Sequence, residues 1–214
     1  MAKAPQPGRV KTRLQRGADG LSAERATAVY KAMLACVVDR LAEVTPRLVL
    51  AADEPDHPAW EPLLRGRSAA VVAQGGGDLG DRMSRAWAAA GAGPAAFFGT
   101  DCPDLPAGHL AAVLNTLKQA GEAVGPVGDG GYWTLVTRGD PAAFFNGVEW
   151  GGPDVLTQTL NAAEAAGRPL SRLPAWLDVD HPADLEALVE RLAAGRRSGG
   201  GGALHRLYDA LAHV

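Results

Sequence analysis

Short, unbroken apolar runs alternate with longer segments whose apolar residues recur every three to four positions, and few architectures accept that alternation. Leu48–Ala52, Ala69–Ala73 and Ala95–Phe98 are such runs, each closed by acidic or glycine-rich residues. An unbroken apolar run reads as a strand buried on both faces, the habit of parallel sheets covered by helices. From Ser22, a plausible N-cap, Ala26, Val29, Tyr30, Met33, Val37 and Leu41 form one helical stripe that Pro46 should end. Further helices are expected over Trp60–Leu64, Asp78–Ala90, Pro106–Ala120, Gly152–Ala166 and Pro182–Ala193. Strands are expected at Ala123–Val124 and Gly131–Val136, with a short strand end at Leu177–Val179. In such sheets a ligand site lies beyond the carboxyl ends of the strands. A glycine-rich linker over residues 196–202 separates a main domain, residues 1–195, from a C-terminal helix, residues 203–214. The tail's Leu204, Leu207, Tyr208 and Leu211 suit packing back on the domain.

Charge narrows the partners. Lys and Arg number 21 against 24 Asp and Glu, a net charge of −3, which disfavours a duplex nucleic-acid binder. No apolar run approaches the ~20 residues of a membrane span. No apolar segment follows the basic N-terminus as a signal peptide requires, so a cytoplasmic location is expected. Cys36 and Cys102 are too few for a disulfide framework or a cysteine zinc site. His57, His109, His205 and His213 stand apart, and no Ser/His/Asp set is visible.

Four motifs remain. Lys3-Ala4-Pro5-Gln6-Pro7-Gly8-Arg9-Val10-Lys11-Thr12-Arg13-Leu14 packs four cations among glycine and proline. It suits polyphosphate, though a solvated basic terminus would also account for it, and it lacks Walker A spacing. Gly75-x-Gly77-x-x-Gly80 matches the dinucleotide fingerprint, but Asp78 and Asp81 would crowd a pyrophosphate. Thr100-Asp101-Cys102-Pro103-Asp104-Leu105 places two carboxylates at a strand's carboxyl end, oxygen ligands of the kind Mg²⁺ or Mn²⁺ takes alongside nucleotide phosphates. Leu177-Asp178-Val179-Asp180-His181 is a second acidic strand end. Gly128-Asp129-Gly130-Gly131-Tyr132-Trp133 allows close backbone approach and offers two rings for stacking on a sugar-like face; a hairpin turn with Trp133 in the core is the plainer alternative.

Together these motifs resemble the GT-A fold nucleotide-diphospho-sugar transferase superfamily. The resemblance is nearest to a small bacterial glycosyltransferase-like family connected with arsenosugar biosynthesis, and more distant to molybdenum-cofactor guanylyltransferases and the guanylyltransferases of deazaflavin-cofactor synthesis. It rests on Lys3–Leu14, Gly77–Met83, Asp101–Leu105, Gly125–Tyr132 and Asp178–Leu185, in that order. It implies a three-layer α/β/α sandwich on a mostly parallel mixed sheet. It also implies that Lys11 and Arg13 hold the nucleotide phosphates, with Lys3, Pro5 and Gly8 also nucleotide-binding. Gln74, Gly77, Leu79, Gly80 and Arg82 would line base and ribose. Asp101, Asp104 and Asp180, with Asp178 in reserve, would hold Mg²⁺ or Mn²⁺. Gly130, Gly131, Tyr132 and Trp150 would face the acceptor, with Asp129 as base and Lys11 stabilising developing charge.

Two departures stand out. His181 replaces a threonine, and only Met1 and Ala2 precede the basic loop where the family has an apolar strand. The first strand is therefore expected to be missing, with the chain beginning upstream of Met1. Residues 3–14 should then be poorly anchored, or the sheet should show a gap or substitute pairing beside them. The activity implied is metal-dependent glycosyl transfer from a nucleotide-diphospho-sugar to a small acceptor. The alternatives are nucleotidyl transfer to a small phosphorylated substrate and a catalytically silent nucleotide-binding protein.

Overall fold

Ser22 opens the first long helix as its chemistry dictates, its side chain accepting the Arg25 amide at 3.2 Å. A computed structural model describes residues 1–17, 19–45, 47–197 and 202–212 of the protein. The helices are α1 (Ala23–Val44), α2 (Trp60–Leu64), α3 (Leu79–Ala89), α4 (Ala107–Lys118), α5 (Val155–Ala165), α6 (Pro182–Arg197) and α7 (Gly202–Leu211). The strands are β1 (Leu48–Ala52), β2 (Ala69–Ala73), β3 (Ala95–Phe98), β4 (Ala123–Pro126), β5 (Tyr132–Thr137) and β6 (Ser171–Arg172). The expected stop at Pro46 lies outside the described residues, but Thr45 has already left the helix in extended conformation.

Connection length decides strand direction. The stretch from β1 to β2, which carries α2, is long enough for a crossover, and the two strands pair in parallel from Leu48–Ala69 to Ala52–Ala73. The short Val127–Gly131 turn permits only a hairpin, so β5 runs antiparallel to β4, and it is antiparallel to β3 as well. The order in the larger sheet is β3-β5-β4-β6, with β6 parallel to β4. The molecule is thus an α/β fold on mixed strands. Two expectations change: Leu177–Val179 forms no ladder strand, its neighbour Trp176 making a single bridge with Val127, and β6 had no sequence signal.

Helices α1, α6 and α7 share a core of Val29, Met33, Leu188, Leu192, Leu207 and Leu211. The C-terminal helix therefore packs back, as its apolar stripe implied. Residues 196 and 197, expected in the linker, continue α6, while residues 198–201 of that linker lie outside the described residues.

The sheet divides between β1 and β3. Only Met1 and Ala2 run there among the described residues: the Ala2 amide donates to Ala51 O at 2.8 Å, Asp53 N to Ala2 O at 3.2 Å, and the Met1 amine to Phe98 O at 3.1 Å. The Gln74 amide adds bonds to Ala2 O and Ala51 O. Beside this pairing lies an apolar cleft of about 440 Å³, walled by Leu34, Val38, Leu41, Leu50 and Phe97. Of the outcomes expected there, the sheet shows a division between β1 and β3 with this two-residue pairing in it. The basic loop itself is well held.

Candidate active site

Tyr30 on α1 is the clamp of that loop. Its buried hydroxyl accepts the Lys3 amide and donates to Lys3 O, both at 2.9 Å. Asp53, just past β1, accepts the Ala4 amide at 2.6 Å, and Glu54 accepts Gln6 Nε2 at 2.8 Å and pairs with Arg9. Val10 and Leu14 bury their side chains as apolar anchors. Held at both ends, the loop turns through Gly8 at φ 77° and Lys11 at φ 47°, ψ 42°. A left-handed lysine is uncommon and persists only where surroundings enforce it. Tyr30→Phe removes both hydroxyl bonds, and we expect it to cost about 1–3 kcal/mol of unfolding free energy in urea titrations.

The turn drives the Lys11 side chain inward until only 5% of it is exposed. Its ammonium donates to Val179 O at 2.5 Å and pairs with Asp101 and with Asp180 Oδ1, the latter at 3.3 Å. Arg13 takes the other oxygen, Asp180 Oδ2. The 178–180 segment is sewn to the loop just past β3 by the Val179 amide, which donates to Asp101 O at 3.0 Å.

Asp129, Asp178 and Asp180 each bring a carboxylate oxygen to within 4.8 Å of the other two. Their environments differ. Burial raises Asp178, and the negative charges of Asp129, Asp180 and Asp101 add to it. Burial also works against ionised Asp180, but Lys11 and then Arg13 outweigh it and hold that carboxyl below the usual range. Asp129 comes from the hairpin turn and accepts the Gly131 amide at 3.0 Å. Next to it, Gly130 has φ 90°, and a Cβ there would lie 1.7 Å from Pro153 O, so only glycine fits.

Several expected site residues sit elsewhere. Asp104 is not in the carboxylate cluster. It is nearly buried, accepting Arg191 Nε at 2.7 Å and Trp176 Nε1 at 3.1 Å, because the Pro103 turn carries it away from Asp101 toward α6. Asp101 is engaged by Lys11 and is not in the cluster either. The Gln74 amide is occupied inside the fold. The Tyr132 ring packs with the Met83, Leu135 and Phe144 cluster and its hydroxyl is buried, so it belongs to the core and does not face an acceptor. Trp133, the core alternative, is buried too. Trp150 packs against Phe145, 5.6 Å between ring centroids, and its indole N–H has no acceptor among the described residues. Pro5 is buried in the loop, and Leu79 is exposed at the start of α3. Gly77, Gly80 and Arg82 surround that helix start, Arg82 Nε reaching Gly77 O at 3.1 Å. Asp78 and Asp81 cap one another's amides at 2.9 and 3.3 Å. Their carboxylates thus occupy the helix terminus that a pyrophosphate would need.

One residue escaped the sequence reading, and another was held only in reserve. Asp178 ranked behind Asp180, although positions i and i+2 of an extended chain share a face. Tyr30 looked like one more apolar-stripe residue, and nothing local marked its hydroxyl.

Residues 34–152 match the model of a family described as an uncharacterized protein conserved in bacteria, DUF2064. The chain belongs to that family. It is also similar to a solved structure from Desulfovibrio desulfuricans G20, a protein provisionally assigned as a nucleotide-diphospho-sugar transferase. Identity is 31%, the TM-score is 0.78, and the match covers 98% of this chain and 93% of that one. No curated protein matches the chain. Among the described residues of this DUF2064 member, no helix is long and apolar enough to cross a membrane.

Proposed function

We propose that this protein is a metal-dependent glycosyltransferase that takes a nucleotide-diphospho-sugar donor and a small acceptor. The observation that carries the reading is the meeting of three carboxylates from two chain segments with the buried ammonium of a Gly/Pro-rich basic loop. The Desulfovibrio protein's provisional assignment points the same way.

The donor set fits Mg²⁺ or Mn²⁺: it is all carboxylate oxygen, two of its members are partly buried, and it lacks the thiolate or imidazole that would select a softer metal. Asp129, Asp178 and Asp180 would hold the cation. When bound, such a cation neutralises charge building on a departing nucleoside diphosphate.

The chain's own residues do the rest. Lys11 and Arg13 bind diphosphate oxygens, and Lys3 and Arg9 extend the positive rim around Gly8. Asp101 orients Lys11. Gly77, Leu79, Gly80 and Arg82 border the base and ribose. Gly130 and Gly131 let the acceptor approach the backbone, with Trp150 at its edge. Asp129 sits in the cation set, and a carboxylate engaged there is a poor proton acceptor. In this reading Asp129 would serve as a ligand, in place of the base role expected of it.

Thermal shift against nucleotides and nucleotide-sugars, with and without Mg²⁺ or Mn²⁺, tests the reading. A ligand at ~100 times its Kd adds about 2.7 kcal/mol. A metal-dependent shift by a nucleotide-diphospho-sugar is expected. A preference for nucleoside triphosphates would replace the reading with nucleotidyl transfer, and no metal-dependent shift would overturn it in favour of a silent binding protein.

A further inference from the structure

We infer that Lys11 and Arg13 are built-in counter-cations of the carboxylate cluster, which a divalent cation must displace and which are thereby released toward the donor's phosphates. The inference rests on the cation and phosphate roles proposed above and adds a coupling to them: the cation and the polyphosphate each favour the binding of the other.

Asp180 stands between the carboxylate cluster and the two cations. Both its oxygens are engaged, Oδ1 by the Lys11 ammonium at 3.3 Å and Oδ2 by the Arg13 guanidinium. Asp180 is also the one member of the cation set that either residue touches. A divalent ion shared among Asp129, Asp178 and Asp180 would stand next to two positive groups in a partly buried site, where like charges repel strongly. The ion and the two side chains therefore compete for one carboxylate.

The two side chains differ in how they are held. Lys11 is almost wholly buried and its ammonium has two further acceptors, Asp101 and Val179 O; Arg13 is half exposed. Lys11 is also anchored by a left-handed backbone that fixes where its stem starts but not where its four-carbon chain ends. An ammonium leaving Asp180 can stay on Asp101 while its flexible stem lets it meet an incoming phosphate oxygen. Coupling between two ligands is reciprocal, so a cation that frees Lys11 raises the affinity for polyphosphate, and polyphosphate that draws Lys11 away raises the affinity for the cation.

The test uses Mn²⁺ alone, with no nucleotide, titrated into the full chain and followed by calorimetry and by the electron paramagnetic resonance signal of free Mn²⁺. Lys11→Met is expected to bind Mn²⁺ about tenfold tighter than the unaltered protein, and Lys11→Arg, which keeps the charge, to stay within about twofold. Arg13→Gln, at a half-exposed position where folding is not at stake, is expected to tighten Mn²⁺ about threefold. Unchanged or weaker Mn²⁺ binding in both Lys11→Met and Arg13→Gln would overturn the competition while leaving the cation site standing. If Lys11→Met does not fold, Arg13→Gln alone decides. Absence of Mn²⁺ binding in all four proteins would remove the cation site itself, and this inference with it.

Discussion

Asp180→Asn should cut divalent-cation affinity by at least about 100-fold, the upper range for loss of a group that merely supports a metal ligand. The substitution keeps the size of the side chain and removes one of three charges from the cluster. It also replaces an acceptor oxygen facing Lys11 or Arg13 with an amide donor, which sets donor against donor. Asp104→Asn should behave in the opposite way. Its carboxylate serves Arg191 and Trp176, so cation affinity should hold while stability falls by about 1–3 kcal/mol. Calorimetric Mn²⁺ titration of the two variants, with a urea curve for each, separates the roles. Equal loss of cation binding in both would place Asp104 in the site after all.

That contrast shows where sequence reading reached and where it stopped. The strands and helices were legible because periodicity is local: Leu48–Ala52 and Ala69–Ala73 fall on their ladder strands to the residue. The hairpin at Gly128–Gly131 was legible because a short glycine turn leaves only one way to continue. The basic loop and the two acidic strand ends were legible as charge at the ends of apolar runs. The direction each carboxylate takes was not. Asp101 and Asp104 look alike on paper, and only the path of α6, which brings Arg191 to Asp104, tells them apart. Tyr132 stands beside a glycine turn as a sugar-stacking residue would, yet the pleat sends it into the core with Phe144. The Lys11 contacts bridge about 170 residues of sequence, and no window along the chain contains them.

The second large effect lies away from the site, at a residue with no motif around it. Glu122 precedes β4 and is buried at 8% exposure. Its carboxylate accepts Arg168 Nε at 3.2 Å, the Arg138 amide at 3.1 Å and Thr137 Oγ1 at 3.2 Å, and Arg168 Nη2 adds a further contact. Arg168 in turn donates to Asp140 O at 2.6 Å and lies over the Phe144 ring at 4.4 Å. One carboxylate thus ties the end of β5 to the turn that leads into β6. Burial pushes the Glu122 carboxyl upward, but Arg168, the Arg138 amide and Thr137 outweigh it and hold the group below its ordinary 4.5. A depressed native pKa means that the unfolded chain binds the proton more readily. The stabilisation is therefore complete above about pH 4.5 and drains away as pH falls through the lower native value. Glu122→Gln leaves a guanidinium without its charge partner in a mostly buried place, and a loss of about 3–5 kcal/mol is expected near neutral pH. Urea unfolding of both proteins should show that gap at neutrality and a narrowing gap below pH 4.5, where the native carboxylate itself takes up a proton. A gap that stays constant with pH would mean that the amide fails by its shape alone and that the charge of Glu122 contributes nothing to tying the end of β5 to the turn before β6.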